Sequence, residues 1–535
     1  MRQIRYRYVT ADLTTSILIG YLIKIAGWSS LVARRAHNPK VRGSNPLPAT
    51  KKEKGLQRCR PFLLHDCIGA DTVVSYLLFL GSARNVKVLS SSLTSMKKFE
   101  KVIVSVLLFF LLPASMSSSA DVREFALDNG LKVLISEDHK VPLAIFQVWY
   151  RVGSRYEVPG KTGLSHFLEH MMFKGTTNYS SKEFSRIIQR NGGIDNAFTT
   201  KDYTAYFEEM ASDRIGIPVE LESDRMTSLI IDPKETASER SVVMEERRMR
   251  YEDDPQNSLF EKTLATALMT HPYRRPVIGW MSDISLLQRE DLYRHYREYY
   301  SPDNAFIVVV GDVNSDEILK KIRVAFGNKK GADVGKVTAT REPDQKGEKR
   351  IYLRKEAEMP YILIGYHVPS FPDKDSFALD VLSSILSDGK SSRLYRSLVY
   401  EGKIAINAGS EYDGMHIDPF LFFLFGTPAR GRTVAELEKR LYDEVDSLKA
   451  APPSEREVQK AKNQIEASFI FGQDSLYMQA MKIGMFEILG DWRLKDSYLE
   501  GIRKVTPEDV RCAAKKYLTE DNRTVGILVP VKGEK

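Results

Sequence analysis

From Val122 onward the apolar positions follow two periods, two residues for strands and about 3.6 for helices, and the switches between them predict the elements. Leu131–Glu137 and Leu143–Val152 alternate or run apolar, which predicts two strands about a turn at Asp138-His139-Lys140. The apolar majority of Gly163–Phe173 predicts a mostly buried helix, and a second helix closes over Ile187–Asn191 at Gly192-Gly193. Ala197–Glu208, with Phe198, Tyr203, Tyr206 and Phe207 among threonines, has strand composition. Gly216–Ser228 and residues 234–252 are helical by period and charge.

The pattern then repeats. Glu290–Asn304 is matched 218 positions later by Glu508–Asn522, and each is a helix followed by Asp-Asn and an apolar strand, Ala305–Val310 or Thr524–Val529. The chain therefore reads as two copies of one α+β unit, residues 121–330 and 347–535, joined by a linker over 331–346 in a stretch rich in Gly, Lys and Asp.

Within the buried helix His166 and His170 stand four apart with Glu169 between them, and residues four apart share a helix face. Two imidazoles so placed can hold one metal ion while Glu169 reaches the same space. This H-x-x-E-H order is the inverzincin arrangement. A catalytic zinc takes three protein ligands and leaves a position for water, whose pKa it lowers toward neutrality; a nearby carboxylate then accepts the proton. Two solvated His and a Glu would give the same five letters. Against that, Leu164, Phe167, Leu168, Met171 and Met172 surround them, and the whole chain has only nine His. The corresponding helix of the second copy, Ser376–Leu386, has no His at all, so the site is not duplicated. His139, His271 and His295 have no partner at ligand spacing and read as turn or surface residues.

A third ligand must come from another element. Residues 234–252, rich in Glu and Arg, read alone as a solvated face. Taken with the His pair, however, Ser238–Arg247 resembles the pitrilysin/insulinase family of zinc metallopeptidases, in its bacterial two-subunit form. In that family a Glu about 76 positions after the second His completes the site, and a Glu seven residues earlier supports it. The resemblance thus assigns Glu246 as third ligand and Glu239 as its catalytic support; two helical turns put them on one face. Glu245 is the competitor, but it lies about 100° around the helix and has Ser238 seven residues before it.

The resemblance covers roughly 121–535. It implies one Zn2+ per chain on His166, His170 and Glu246, with Glu169 as general base. It also implies an α+β fold of two homologous α/β-roll halves, each an antiparallel sheet plus helices, facing each other as a clamshell. Peptides are expected to add to an edge strand within Asn196–Phe207 through main-chain hydrogen bonds; unfolded or short peptides are admitted and folded proteins excluded. The sequence departs from the family in one place. Single-chain and partner members carry an Arg, then a Tyr seven residues later, in the second half, where they hold the substrate or the transition-state oxyanion. Alignment through Leu394–Ala405 puts Val399 and Ile406 there, whereas Arg393 and Tyr400 have the spacing but sit one helical stretch too early. The pair reads as missing. A paralogous partner subunit that carries Arg and Tyr and lacks H-x-x-E-H is therefore expected. The expected function is a zinc-dependent endopeptidase acting on oligopeptides. The other class is a non-catalytic core or assembly subunit of the same fold, against which the presence of His166, Glu169, His170 and Glu246 together argues.

Charge changes this picture little. Of the formal +8, residues 1–95 hold 15 Lys+Arg against 4 Asp+Glu, which leaves 63 against 66 over 96–535. A nucleic-acid partner is not expected of so neutral a body. Residues 1–95 show no sustained period, and Gly27–Arg35 and Gly43–Pro48 resemble a translated transfer-RNA gene. They read as an upstream extension that is not native, the alternative being a disordered basic arm. Met96 opens a secretory signal: Lys97, Lys98 and Lys101, an apolar run Val102–Leu112 too short to span a bilayer, and small residues over Ser117–Ala120. Export to a bacterial periplasm or medium follows, with no stable membrane span. Cys59 and Cys67 fall in the extension, so Cys512 is alone in the exported chain and no intrachain disulfide is expected.

Overall fold

The computed structural model describes residues 121–332, 334–335 and 340–531. The extension over 1–95, the signal over 96–120, and Cys59 and Cys67 lie outside the described residues. The first half runs β1 (Val122–Ala126), β2 (Lys132–Glu137), β3 (Leu143–Tyr150), α1 (Leu164–Met171), α2 (Glu183–Arg190), β4 (Ile194–Thr199) and β5 (Thr204–Ala211). It continues through α3 (Gly216–Ser228), α4 (Pro233–Arg247), α5 (Pro255–Ala267), α6 (Met281–Leu286), α7 (Arg289–Tyr299), β6 (Ala305–Gly311) and α8 (Ser315–Phe326). The second half is β7 (Lys349–Glu356), β8 (Tyr361–Val368), α9 (Lys374–Ser387), β9 (Ala405–Tyr412), β10 (Phe420–Pro428) and α10 (Val434–Ala450). It ends with α11 (Glu455–Phe471), α12 (Leu476–Ile488), α13 (Leu494–Lys504), α14 (Pro507–Tyr517) and β11 (Arg523–Val531).

The repeat seen in 290–304 and 508–522 extends to the topology. The sheets have the orders β1-β2-β6-β3-β5-β4 and β7-β11-β8-β10-β9. Without β1 they match strand for strand, and in each the strand after the repeated helix enters parallel to its first neighbour and antiparallel to the next. The two homologous α+β halves expected of the sequence are present.

Three expectations need correction. Each sheet is mixed rather than antiparallel, because the last strand of each half follows a long helical crossover and enters parallel to one neighbour. Ala197–Glu208 is a hairpin rather than one strand: Thr200 donates its amide to Tyr203 O at 2.8 Å, and its hydroxyl accepts the amides of Asp202 and Tyr203 at 3.2 and 3.1 Å. Side-chain capping by a threonine lets the chain reverse without the Gly or Pro that would have advertised a turn. His271 and His295 are buried, at 3% and 5% exposure, because each finds a partner far off in sequence. His271 Nε2 lies 3.0 Å from Asp418 Oδ2, and His295 Nε2 3.1 Å from Ser165 Oγ. His139 stands exposed in its turn, as expected.

Strand alternation gives each sheet two apolar faces. In the first half Val133, Phe146, Val148 and Ile307 face that half's own helices. Leu134, Ile145, Trp149, Phe306 and Val308 point the other way, onto Leu476, Ala480, Met481 and Ile483 of α12 from the second half. The second sheet does the reverse: Ile362, Ile364, Phe422 and Leu424 face its own helices, while Leu363, Leu421, Phe423 and Leu528 pack on Leu259 and Leu264 of α5 from the first half. The halves thus exchange one helix each. The fit is close, since a Cβ on Gly484 of α12 would stand 2.2 Å from Trp149, and one on Gly526 of β11 would stand 2.1 Å from Thr263 Oγ1 of α5. Among the described residues no helix is long and apolar enough to cross a membrane.

Candidate metal centre

The helix α1 owes its position to its first turn. Gly163, its N-cap, has φ +89°, and a Cβ there would lie 2.5 Å from Ile278 O, so only glycine fits the close approach. The buried Glu157 accepts the amides of Gly163 and Ser165, both at 2.8 Å, and so satisfies donors that the first turn leaves over. Nothing in the sequence marked Glu157, since its partners form only when the loop before α1 folds back. The helix α4 starts sharply, with Asp232 accepting the amides of Lys234 and Glu235 ahead of Pro233 at the first position. It crosses α1 and carries two carboxylates to the His pair.

His166, His170 and Glu246 each offer one ligand atom, all within 4.8 Å of one another. His170 Nε2 lies 3.4 Å from Glu246 Oε2, and His166 Nε2 3.8 Å from the same oxygen. Behind them His170 Nδ1 is 2.8 Å from Glu239 Oε1, and Glu239 in turn pairs with Lys174. This is the carboxylate–imidazole arrangement that fixes a ligating ring's tautomer and leaves its other nitrogen free. Glu245 points away, half-exposed and paired with Arg248.

These residues fit a zinc ion. Burial and the neighbouring His170 lower His166 to about 3, so its ring is neutral, the form that binds metals. Its Nδ1 is buried with no hydrogen-bond partner among the described residues, and its Nε2 faces Glu246 beyond hydrogen-bond reach. A buried imidazole without hydrogen bonds is costly unless something else engages it. Two imidazoles and a carboxylate are the N/O donor set of a catalytic zinc. Glu169 stands on the same helix, its Oε2 accepting a 2.6 Å hydrogen bond from Thr199 Oγ1. Burial pushes its carboxyl above the usual range, against the pull of that hydroxyl.

All four residues open onto one cavity of ≈ 490 Å³. One wall is β4, with Asn196, Ala197, Phe198 and Thr199. That strand pairs with β5 on one side and ends the sheet on the other, so among the described residues its outer edge pairs with no strand within the expected Asn196–Phe207 window. Aromatic rings also line it, from Phe260 of α5 and Phe420 and Phe423 of β10. Arg250, four residues beyond Glu246 and so about one turn on, reaches Glu246 Oε1 at 2.8 Å. None of Arg393, Val399, Tyr400 or Ile406 lines the cavity. Arg393 makes a two-pronged pair with Glu457 at 2.7 and 3.0 Å, and Tyr400 is 71% exposed.

Residues 132–280 match the family described as Insulinase (Peptidase family M16), and residues 287–465 match Peptidase M16 inactive domain. The zinc protease PqqE of Helicobacter pylori is 32% identical over 435 residues, covering 80% of this chain and 98% of that protein. The chain belongs to the insulinase family, peptidase family M16. The uncharacterized zinc protease YmxG of Bacillus subtilis is 27% identical over 75% of this chain and 96% of its own. The crystal structure of a protease from H. pylori covers 77% of this chain and all of its own, with 32% identity and a TM-score of 0.74. The fold also recurs in the periplasmic protease PqqL of Escherichia coli, at 18% identity and TM-score 0.65, where it accounts for 48% of that longer chain. The M16 fold is therefore used both as a whole chain and as part of a larger one. The relatives' names tie the family to zinc and to proteolysis.

Proposed function

We propose that this chain is a zinc-dependent endopeptidase of unfolded peptides and oligopeptides, working in an exported compartment. The observation that carries the reading is the meeting of His166, His170 and Glu246 with Glu169 on a cavity wall that continues into the free edge of β4. His166, His170 and Glu246 hold the metal and Glu239 orients His170. When bound, zinc supplies Lewis acidity toward a carbonyl and lowers the pKa of water. The edge of β4 offers main-chain donors and acceptors, which recognise an extended peptide of any sequence. Glu169 accepts a proton from the attacking water and returns it to the leaving amine, a role suited to a carboxyl that burial has pushed up. A folded substrate cannot present an extended strand to that edge.

The chain lacks the Arg/Tyr pair in its second half, and removing one donor to a developing oxyanion costs about 100- to 1,000-fold in rate. A paralogous subunit of the same fold, lacking H-x-x-E-H, is proposed to supply both. In PqqL the same fold takes up 48% of a longer chain. Export rests on the Met96–Ala120 segment, and a chain begun at Met96 is expected to yield the same mature N-terminus, near Ala120, as the full chain.

Metal analysis tests the core of this reading. Zinc should be about one per chain, and should fall in His166→Ala and Glu246→Gln while Glu169→Gln keeps it. Zinc loss in Glu245→Gln with retention in Glu246→Gln would move the third ligand.

A further inference from the structure

Among the described residues the second half contributes none of the clustered metal-ligand candidates, yet it reaches the first half's site at the turn between β4 and β5. Asp202 in that turn is 2% exposed. It accepts from Tyr273 Oη at 2.6 Å and from the amide of Ile417 at 3.3 Å, and faces His416 Nδ1 and Arg155 Nη1, both at 3.5 Å. His416 Nε2 faces Asp413 Oδ2 at 3.3 Å, while Arg155 Nη2 meets Asp418 Oδ2 at 2.7 Å. Residues 413–418 belong to the β9–β10 connection of the second half. Three residues before Asp202, Thr199 donates its hydroxyl to Glu169 Oε2 at 2.6 Å.

A carboxylate rotates about its last bond, so a base that must aim one oxygen at water needs the other pinned. Thr199 is also the last residue of β4, the strand with the free edge. We propose that Thr199 is a positioning residue for Glu169, and that the second half holds Thr199 in place through the Asp202–His416 contact. This gives a task to the half whose family description is inactive. Peptide docking on β4 and the aim of the base then belong to one rigid piece, braced from across the cavity. Losing such a brace can cost up to about 100-fold, because small misplacements of a reacting group are that expensive.

The inference rests on Glu169 as the base. Turnover of an unstructured peptide, zinc content and amide exchange are measured for Thr199→Val, Thr199→Ser, His416→Gln and the Val–Gln double variant. Thr199→Val is expected to lower kcat about 10- to 100-fold, with KM within about twofold and zinc unchanged. Thr199→Ser should restore most of it, since the hydroxyl and not the methyl is the pin. His416→Gln should lower kcat in the same direction and speed exchange of the amides over 200–203. In the Thr199→Val background it should cost nothing more, as coupled residues are not additive. Wild-type kcat in Thr199→Val, or Ser behaving no better than Val, overturns the pin; an additive double variant, or unchanged exchange in His416→Gln, overturns the brace. If Thr199→Val is fully active while Glu169→Gln is dead, the pin fails and the base reading stands. Activity retained in Glu169→Gln removes the base reading and the inference with it.

Discussion

Apart from β1, α2 and α8, which only the first half has, the two halves run through corresponding helices and strands in the same order, and they differ at the groove between the first long helix and the edge strand. In the first half α1 and β4 are spanned by the Thr199–Glu169 hydrogen bond, and the space beside them holds the His pair. In the second half α9 is drawn onto β9. The Ser410 amide donates to Ser387 Oγ, Ser410 Oγ donates to Ser383 O at 3.1 Å, and a Cβ on Gly409 would stand 2.7 Å from Phe425. Glu246 lies 14 positions after the cap of α4, and Ser468 occupies the same place, 14 after the cap of α11. It lines a space of only ≈ 70 Å³ that Phe469, Tyr412 and Tyr498 wall in, with Tyr498 donating to Asp380 at 2.6 Å. A fold that can bury a metal site can thus close the same groove with serines and aromatic rings. Chemistry lives in a few side chains, not in the frame.

The contrast breaks most sharply when the first half loses Glu169, the base proposed for it. Glu169→Gln should lower kcat about 10²- to 10⁴-fold with zinc retained, while Ser410→Ala in the matching groove leaves kcat and zinc unchanged; steady-state rates and metal content check both. The next effect concerns the Arg/Tyr pair that the second half is proposed to lack. Adding a candidate subunit with Arg and Tyr should raise turnover of the isolated chain about 100- to 1,000-fold; full activity of the chain alone would refute the partner. Gly484→Ala and Gly526→Ala probe the exchanged helices from either side. Each should destabilise the whole chain by roughly 1–3 kcal/mol, seen as one earlier thermal transition, and two separate transitions would mean that the halves melt apart.

The smallest effect is the pH dependence of the brace. Burial opposes charge on His416, but Asp413 and Asp202 outweigh it and raise the ring to about 9. A folded value above the unfolded one means that the contribution is complete below about 6.5 and fades as pH rises through about 9. Melting temperature should therefore sag between those values and the sag should vanish in His416→Gln. An unchanged slope in that variant would show that His416 is not the titrating group.

What could be read in advance was whatever a local period encodes. His166, Glu169 and His170 share one helical turn, and Glu239 and Glu246 share one helix face, so their grouping needs only helical geometry and the family's spacing between the two segments. The exchanged helices, Glu157, Thr199 and Asp202 were hidden for the opposite reason. Their partners lie on other elements, and Asp202 meets a histidine from the other half. Ser/Thr capping also concealed the β4–β5 turn, since threonines enrich strands as readily as they reverse them. The buried His271 and His295 belong to the same class, being satisfied at a distance rather than at a spacing.

The helix exchange has a consequence for the order in which the molecule can come into being. A chain made from its N-terminus finishes the last strand of its first sheet at Gly311, well before Leu476 opens the helix that covers that sheet's outer face. Trp149, Phe306 and Val308 stay wet in the interval, and α5 waits equally for the sheet it covers. Neither half is a finished body without the other, so the nascent chain is an adhesive intermediate until its closing residues arrive. A cut between Phe326 and Lys349 would give two pieces that each display the other's missing surface, and that should be recovered only as a pair.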